Sequence, residues 1–470
     1  MSEITPKGTQ VNVLALHPVG HNVVLGTAGS GKTTMAMLWA KKVATTFPNQ
    51  RVLLVTFNKA LLGYMSAVYD PLPRNVDIHN YHKFARGYLA DVGKMHNHCI
   101  LDSKTTKESI VQECIYQCRQ EFGDISTYKR PVGVFLDEIK FIEQFGVNTL
   151  DNYMKIERIG RASANIKRDN RPYFFAVYEK YLIERGKRAF QYDWDDLALY
   201  TYNALLEDKR ERFYSHIVVD EGQDFSPMML RSLIAAIPEN GSFMFFGDVA
   251  QQIYGSRLSW RYAGINVQES KIYRFSDNYR NSIEVANFAS DIMSHKYWDA
   301  SDDLVKPSSV MANGPKPVLV EFTSESDETA WIIETIAQLA QTASCAVIVK
   351  NHARVNSLIN ILRNEHIKCR EIDGDSVFPN MRSGVFVTTF YSAKGLEFDN
   401  VFIPNLTSDY MPDTERLEHM SRENVCADDL KLLYVATTRA KRGLYMSYHG
   451  ELTCLFPVDS PNYDRHSLVR

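Results

Sequence analysis

The chain has 470 residues, 45% of them hydrophobic and 23% charged, with a formal net charge of −3. The length sets a prior of about three domains. The composition is that of a soluble globular protein and excludes a membrane-spanning chain, because no apolar run approaches the roughly 20 residues that a membrane helix needs.

The polar start, MSEITPKGTQ, lacks the apolar core of a secretory leader. Seven cysteines (99, 114, 118, 345, 369, 426 and 454) are scattered. Cys114 and Cys118 would share a helix face, but no second pair completes a zinc site. They read as small buried apolar residues in a protein of the reducing cytoplasm, or one associated with the nucleoid. A net charge near zero means that any nucleic-acid partner needs a local positive groove.

In chain order, the first strong signal is Asn22 to Leu25, a short buried strand, followed by Gly26-Thr-Ala-Gly-Ser-Gly31-Lys32-Thr33. This fits the phosphate-cradling pattern G-x-x-x-x-G-K-[ST]. Glycines let the backbone turn tightly and aim its N–H groups at phosphate oxygens. The expected cradle is Gly26, Ala28, Gly29, Ser30, Gly31, Lys32, Thr33 and Thr34. Lys32 would reach the β- and γ-phosphates and Thr33 would offer its hydroxyl to Mg²⁺. Met35, Leu38, Trp39 and Val43 then mark one face of a helix whose N-terminus favours anions. The loop implies ATP or GTP but not what is done with it, since kinases, GTPases, transporters and motors all share it.

Arg51 to Thr56 reads as a second apolar strand, followed by Phe57-Asn58-Lys59-Ala60. From about Arg86 to Gln191 the pattern is helical and charged, as in an inserted helical domain. Two stretches could supply the strand that ends in a Mg²⁺-binding Asp: Val132 to Glu138 and Ile217 to Glu221. The first runs on into a helical pattern. The second is followed by a further strand, Phe243 to Asp248, and repeated strand–helix alternation belongs to a parallel sheet. Asp220 and Glu221 are therefore the expected pair, and Asp137 and Glu138 ordinary helix-face acids.

Asn313-Gly-Pro-Lys-Pro317 is a turn-rich break. A second α/β set follows, with strands at Val318 to Phe322, Ala346 to Val349 and Val385 to Thr389, and helices at Trp331 to Leu339 and Ala353 to Arg363. No phosphate loop recurs there. Two α/β units with one such loop suggest a nucleotide in the cleft between them. Arg280 and Arg439 would face that cleft from the second unit, where they can neutralise charge on the γ-phosphoryl group. Taken singly, either arginine reads more readily as half of a surface ion pair.

Together these stretches resemble the UvrD/Rep group of superfamily 1 DNA helicases, over nearly the whole chain and in the family's order. GTAGSGKT is similar to motif I, VTFNKA to Ia, NYHKF to Ib, IVVDEGQDFSP to II, FGDVAQQIYGSR to III, NYRNS to IV, TTFYSAKGLEF to V and YVATTRA to VI. The resemblance implies an α/β fold of two RecA-like parallel-sheet domains: 1–85 and 192–275 as 1A, 86–191 as a helical 1B-like insertion, 276–455 as 2A and 456–470 as a C-terminal tail. It implies that Lys32, Thr33 and Asp220 hold phosphates and Mg²⁺, and that Glu221 activates water. Gln223 and Gln251 would sense the γ-phosphate, Arg280 and Arg439 would be arginine fingers, Gln10 would read adenine, Tyr279 would stack on it, and Glu397 would hold the ribose. On the DNA side it implies Phe57, Asn58, His82, Tyr254, Arg257, Trp260 and Tyr391. The implied activity is ATP- and Mg²⁺-dependent 3′→5′ movement by a monomer on single-stranded DNA or a tailed duplex. The alternative is an ATP-gated sensor or regulatory subunit of a repair or phage-defence complex that needs a protein partner.

Three features depart from the family pattern. Ser256 stands where the family usually has Trp before the motif III arginine, with Trp260 close by. Tyr391 stands at the motif V histidine, and Gly222 stands in motif II where Ala or a larger residue is usual. Only about 100 residues separate Arg280 from Lys394, and the second α/β core accounts for them, so the family's usual 2B subdomain is expected to be missing or vestigial.

Overall fold

Short apolar runs bounded by polar turns become strands buried on both faces, as parallel sheets require. The computed structural model describes residues 5–56, 72–156, 166–248, 263–266, 271–298, 305, 308–309, 311, 313–373, 383–418 and 420–468. The first sheet takes β1 (Gly20–Gly26), β2 (Val52–Thr56) and β3 (Val76–Asn80). β4 (Ile100–Leu101) and β5 (Tyr192–Asp193) form a separate short parallel pair. β6 (His216–Val219), β7 (Ser242–Gly247) and β8 (Ile272–Phe275) complete the first sheet, whose order is β3-β2-β6-β7-β1-β8. Every residue of β2, β6 and β7 is buried. β1 lies between β7 and β8, with Leu25 opposite Gly247 and Gly26 opposite Phe275. The loop after β1 therefore opens at the carboxyl ends of its neighbours, where open α/β sheets bind ligands.

Between β4 and β5 the chain is mostly helical. Helices Lys104–Phe122, Val132–Phe145 and Arg171–Lys187 enclose their own core, which includes Cys114, Cys118, Phe135, Ile142 and Phe174. Val132 to Glu138 is thus helix, not strand. Buried charge fastens this body to β5. Lys107 Nζ lies 2.7 Å from Asp193 and 3.3 Å from Glu143, and Arg185 lies 2.6 Å from Asp196. Removing one member of such a buried set costs about 3–5 kcal/mol, because the remaining charge is stranded.

The second half opens with a two-residue parallel pair, β9 (Asp277–Asn278) and β10 (Ser308–Ser309). β11 (Val318–Phe322), β12 (Ser344–Val349), β13 (Cys369–Ile372), β14 (Gly384–Thr389), β15 (Phe398–Ile403), β16 (Ala440–His449) and β17 (Asp464–Ser467) form a second parallel sheet in the order β13-β14-β12-β15-β16-β11-β17. Side-chain caps fix where its helices begin: Asn351 accepts from Arg354 N at 3.0 Å, and Ser282 opens Ile283–Met293. The segment expected as a tail carries β17, which pairs with β11. Its four residues are polar and exposed, so no apolar alternation announces it.

Candidate functional site

The phosphate-loop residues sit between β1 and the helix Lys32–Thr46. Gly29 and Gly31 hold φ of 71° and 80°, a left-handed backbone that side chains resist. A Cβ on Gly29 would also collide with the Asn278 side chain and the Arg280 Cβ, so the second half of the chain packs directly on the loop. The Tyr279 amide donates to Gly29 O at 2.9 Å. Lys32 folds back over the loop, donating to Gly26 O (2.9 Å) and Thr27 O (2.7 Å), with Asp248 3.5 Å away. Ala28 and Ser30 are buried, while Thr33 and Thr34 are partly open. Gln10 donates to Ser30 O at 2.9 Å, which brings it to the same loop.

Asp220 directly follows β6 and is fully buried, and neither carboxylate oxygen has a partner in full hydrogen-bond geometry, although the Thr33 side chain lies close enough to act on it. Burial first, and then the Glu221 charge, lifts its carboxyl to about 7, with Thr33 and Lys32 opposing. A buried carboxylate in this state keeps lone pairs that a cation or a donor can fill. Glu221 takes a left-handed φ of 52°, which is uncommon for a side chain of its size. Burial works against its charge, but Lys394 and Lys32 outweigh it and hold the carboxyl below its usual range. Gln223 bridges outward: its amide donates to Glu221 at 2.5 Å, and its carbonyl accepts from Asp248 N at 2.8 Å. Gly222 has a steric cause, since the Phe245 ring fills the space that a Cβ would take.

The opposite wall comes from the second half. Arg280 Nε donates to Glu397 at 2.7 Å, and Lys441 Nζ lies 2.8 Å from the same carboxylate. Burial opposes that charge, yet Arg280 and Lys441 together bring the Glu397 carboxyl down to about 2. Arg439 is fully buried and donates to Val435 O (2.9 Å) and Leu396 O (3.2 Å). Burial and the neighbouring Arg280 lower its guanidinium to about 10, with Glu221 and Asp248 pulling the other way. Asn281 locks this wall by donating to Thr438 O and Ala440 O. The Tyr279 hydroxyl reaches Asp277 at 3.2 Å and leaves the ring partly open.

One contact across the walls joins two residues to which the sequence motifs alone assign no role. Lys394 Nζ lies 2.5 Å from Asp224 Oδ1, with both side chains buried. Burial lifts the Asp224 carboxyl to about 6 against the pull of Lys394. Both residues stand inside motif strings, SAKGLEF and DEGQD, and that position was the available signal.

Among the positions expected to face DNA, the His82 ring meets Trp194 edge-on at 5.0 Å, and the Trp194 indole donates to Asp102 at 2.7 Å. A groove of about 1300 Å³ runs beside them, lined by Lys83, Arg86, His96 and His98 among others. Tyr391, 38% exposed, stands past the end of β14. Phe57, Asn58, Gln251, Tyr254, Arg257 and Trp260 lie outside the described residues. Among the described residues, no helix is long and apolar enough to cross a membrane.

The family model for the UvrD/REP helicase N-terminal domain matches residues 8–275, and that for the UvrD-like helicase C-terminal domain matches 273–382 and 379–451. The chain belongs to the UvrD/REP helicase family. This makes it an ATP-dependent helicase-type enzyme with two RecA-like parallel-sheet domains. Among curated relatives, a "Probable DNA helicase" of Mycoplasma pneumoniae is 26% identical over 91% of this chain and 80% of its own length. A "Probable DNA helicase II homolog" of Mycoplasma genitalium is 25% identical over 77% of this chain and 53% of its own. "ATP-dependent DNA helicase UvrD2" of Mycobacterium bovis is 22% identical over 58% and 54%. The chain therefore spans about half the length of the last two.

Proposed function

We propose that this UvrD/REP-family enzyme is a DNA helicase that hydrolyses ATP, with Mg²⁺, in the cleft between its two sheets and moves 3′→5′ on single-stranded DNA or a tailed duplex. The observation that carries the reading is the convergence of Arg280, Arg439 and Lys394 from one half on Lys32, Asp220 and Glu221 of the other. The names of the relatives support DNA as the substrate class, and the polarity rests on the family resemblance.

In this reading the loop from Gly26 to Thr34 wraps the phosphates, and Lys32 exchanges its two carbonyl partners and Asp248 for phosphate oxygens. The buried Asp220 carboxylate and the Thr33 hydroxyl suit a hard divalent cation, which would neutralise phosphate charge when bound. Glu221, held ionised, orients and deprotonates the attacking water. Gln223, bonded to both Glu221 and the start of motif III, relays the state of that carboxylate. Gln251 acts with it in this proposal. Arg280 and Arg439 lie close enough to repel one another, and a γ-phosphoryl group between them relieves that repulsion. Gln10 and Tyr279 hold the adenine, and Glu397 turns to the ribose as Arg280 leaves it for phosphate. His82, Tyr391, Phe57, Asn58, Tyr254, Arg257 and Trp260 line the strand, with Trp194 and the basic groove beside His82. Aromatic faces there stack on bases of any sequence, at about 1–3 kcal/mol each.

The test is ATP-driven displacement of streptavidin from biotinylated single-stranded DNA. A 3′→5′ motor clears streptavidin from the 5′ end and leaves the 3′ end occupied. Clearing of the 3′ end reverses the polarity. Hydrolysis with neither end cleared contradicts the motor and favours a sensor that acts through a partner.

A further inference from the structure

The groove beside His82 carries charge that no motif explains. Its floor is the helix Tyr81–Asp91. His82, Arg86 and Ala90 recur at four-residue spacing along the face that lines the groove, with Lys83 and Gly87 beside them. The floor is low: a Cβ on Gly87 would meet nothing within 4 Å, and Ala90 is exposed. Lys83 and Arg86 are also exposed, and among the described residues no carboxylate pairs with either. Asp102 is the one acid among the described lining residues, and its Oδ1 is taken by the Trp194 indole at 2.7 Å.

The opposite wall is a turn fixed at both ends. Lys94 N donates to Leu89 O at 2.8 Å, and the Tyr192 hydroxyl donates to Lys94 O at 2.6 Å. Gln191 N and Tyr192 N both donate to Cys99 O, at 2.8 and 3.0 Å. Between these anchors the Cys99 thiol donates to His96 O at 2.8 Å, and His98 takes a left-handed φ of 61°, which is uncommon outside glycine. The turn thus holds His96, Asn97 and His98, all exposed, at the edge of the groove. Imidazoles and a carboxamide supply N–H donors at any charge state.

Two cations without carboxylate partners, facing N–H donors over a floor of small residues, complement a chain of phosphates. The helix face from His82 to Ala90 is about 12 Å long at 1.5 Å per residue. That is room for about three phosphates at the 3.4 Å spacing of a stacked strand. Arg86, His96 and His98 fall outside every motif string. We propose that this groove grips the backbone of the single strand next to His82, with Lys83 and Arg86 on its phosphates and His96 and His98 donating to them from the facing turn. The proposal rests on the DNA-motor reading above. It adds a contact that base stacking does not supply, one that depends on charge and is blind to sequence.

The experiment titrates a length series of fluorescent single-stranded DNA with the full-length chain at several salt concentrations. Lys83→Ala combined with Arg86→Ala should weaken binding on the order of ten-fold at low salt. It should also make the slope of log Kd against log salt shallower by about 1.4, two phosphates at about 0.7 each. Affinity should level off at strands about three nucleotides shorter. His96→Ala combined with His98→Ala should weaken binding several-fold. Arg370→Gln, which removes an exposed cation from β13 at the far edge of the second sheet, should match wild type throughout. All these positions are exposed, and an unfolding temperature within a few degrees of wild type shows that the variants fold. Wild-type slope and length dependence in the Lys83/Arg86 variant, or an equal loss in Arg370→Gln, overturns the groove and leaves the motor reading standing. Loss of blunt-duplex binding alone in that variant overturns the single-strand assignment. A wild-type chain that binds no single strand overturns the motor reading and the groove with it.

Discussion

The two walls of the cleft share one architecture, a twisted parallel sheet, and differ in how well their polar groups are satisfied. The first wall is left incomplete. Asp220 has no partner in full hydrogen-bond geometry for either oxygen, and Glu221 sits at a strained φ. Lys32 makes do with carbonyls of its own loop. In the second wall the charged groups are already paired: Arg280 with Glu397, Arg439 with carbonyls, and Lys394 with Asp224 across the gap. The difference suggests a division of labour. The first wall gains bonds when a nucleotide arrives, whereas the second must trade existing bonds for phosphate, which makes its engagement conditional and suited to gating.

If this division holds, substitutions on the two walls separate binding from turnover. Arg439→Ala should lower ATP hydrolysis on the order of 10⁴-fold, within the range for arginine fingers, and leave fluorescent-nucleotide affinity within a few-fold of wild type. Lys32→Ala should lower hydrolysis about 10³-fold and weaken nucleotide binding as well. Equal binding losses in the two variants would erase the distinction. Glu221→Gln should cost about 10²–10³-fold in turnover while binding persists. None of the three should move the unfolding temperature by more than a few degrees.

The tie between the walls is a stability prediction. Lys394→Met strands the buried Asp224 carboxylate and should cost about 3 kcal/mol in denaturant unfolding. Adding Asp224→Asn should recover part of that loss, and a double variant no better than the single would contradict the pairing. The smallest expected effect lies in the first sheet away from the cleft. His216 is buried between Gln50 and Ser242, and burial lowers its imidazole to about 4 from 6.5. The unfolded chain therefore binds the proton more readily. Its contribution is fully present above pH 6.5 and is lost as pH falls from there through about 4. His216→Asn should flatten that part of the stability profile.

What the sequence made legible follows from what each feature requires. The loop from Gly26 to Thr33 is readable because its chemistry demands neighbouring residues in fixed order. β2, β6 and β7 are readable because burial on both faces demands unbroken apolar runs. β17 is not, because Asp464 to Ser467 are exposed and its place depends on the free edge of β11. Lys394 and Asp224 are 170 residues apart, and His82 and Trp194 also meet only through the fold. Such pairs have no local signature. Gly222 could be noticed in sequence but explained only by the Phe245 ring against it.

The measurement that bears most directly on the central claim is ATP hydrolysis by the purified chain, alone and with single-stranded DNA, single-stranded RNA or blunt duplex. The account predicts Mg²⁺-dependent hydrolysis that single-stranded DNA stimulates strongly, with the stimulated rate lost in both Lys32→Ala and Arg439→Ala. Hydrolysis indifferent to all three nucleic acids, or unchanged by removal of either wall's cation, would contradict it.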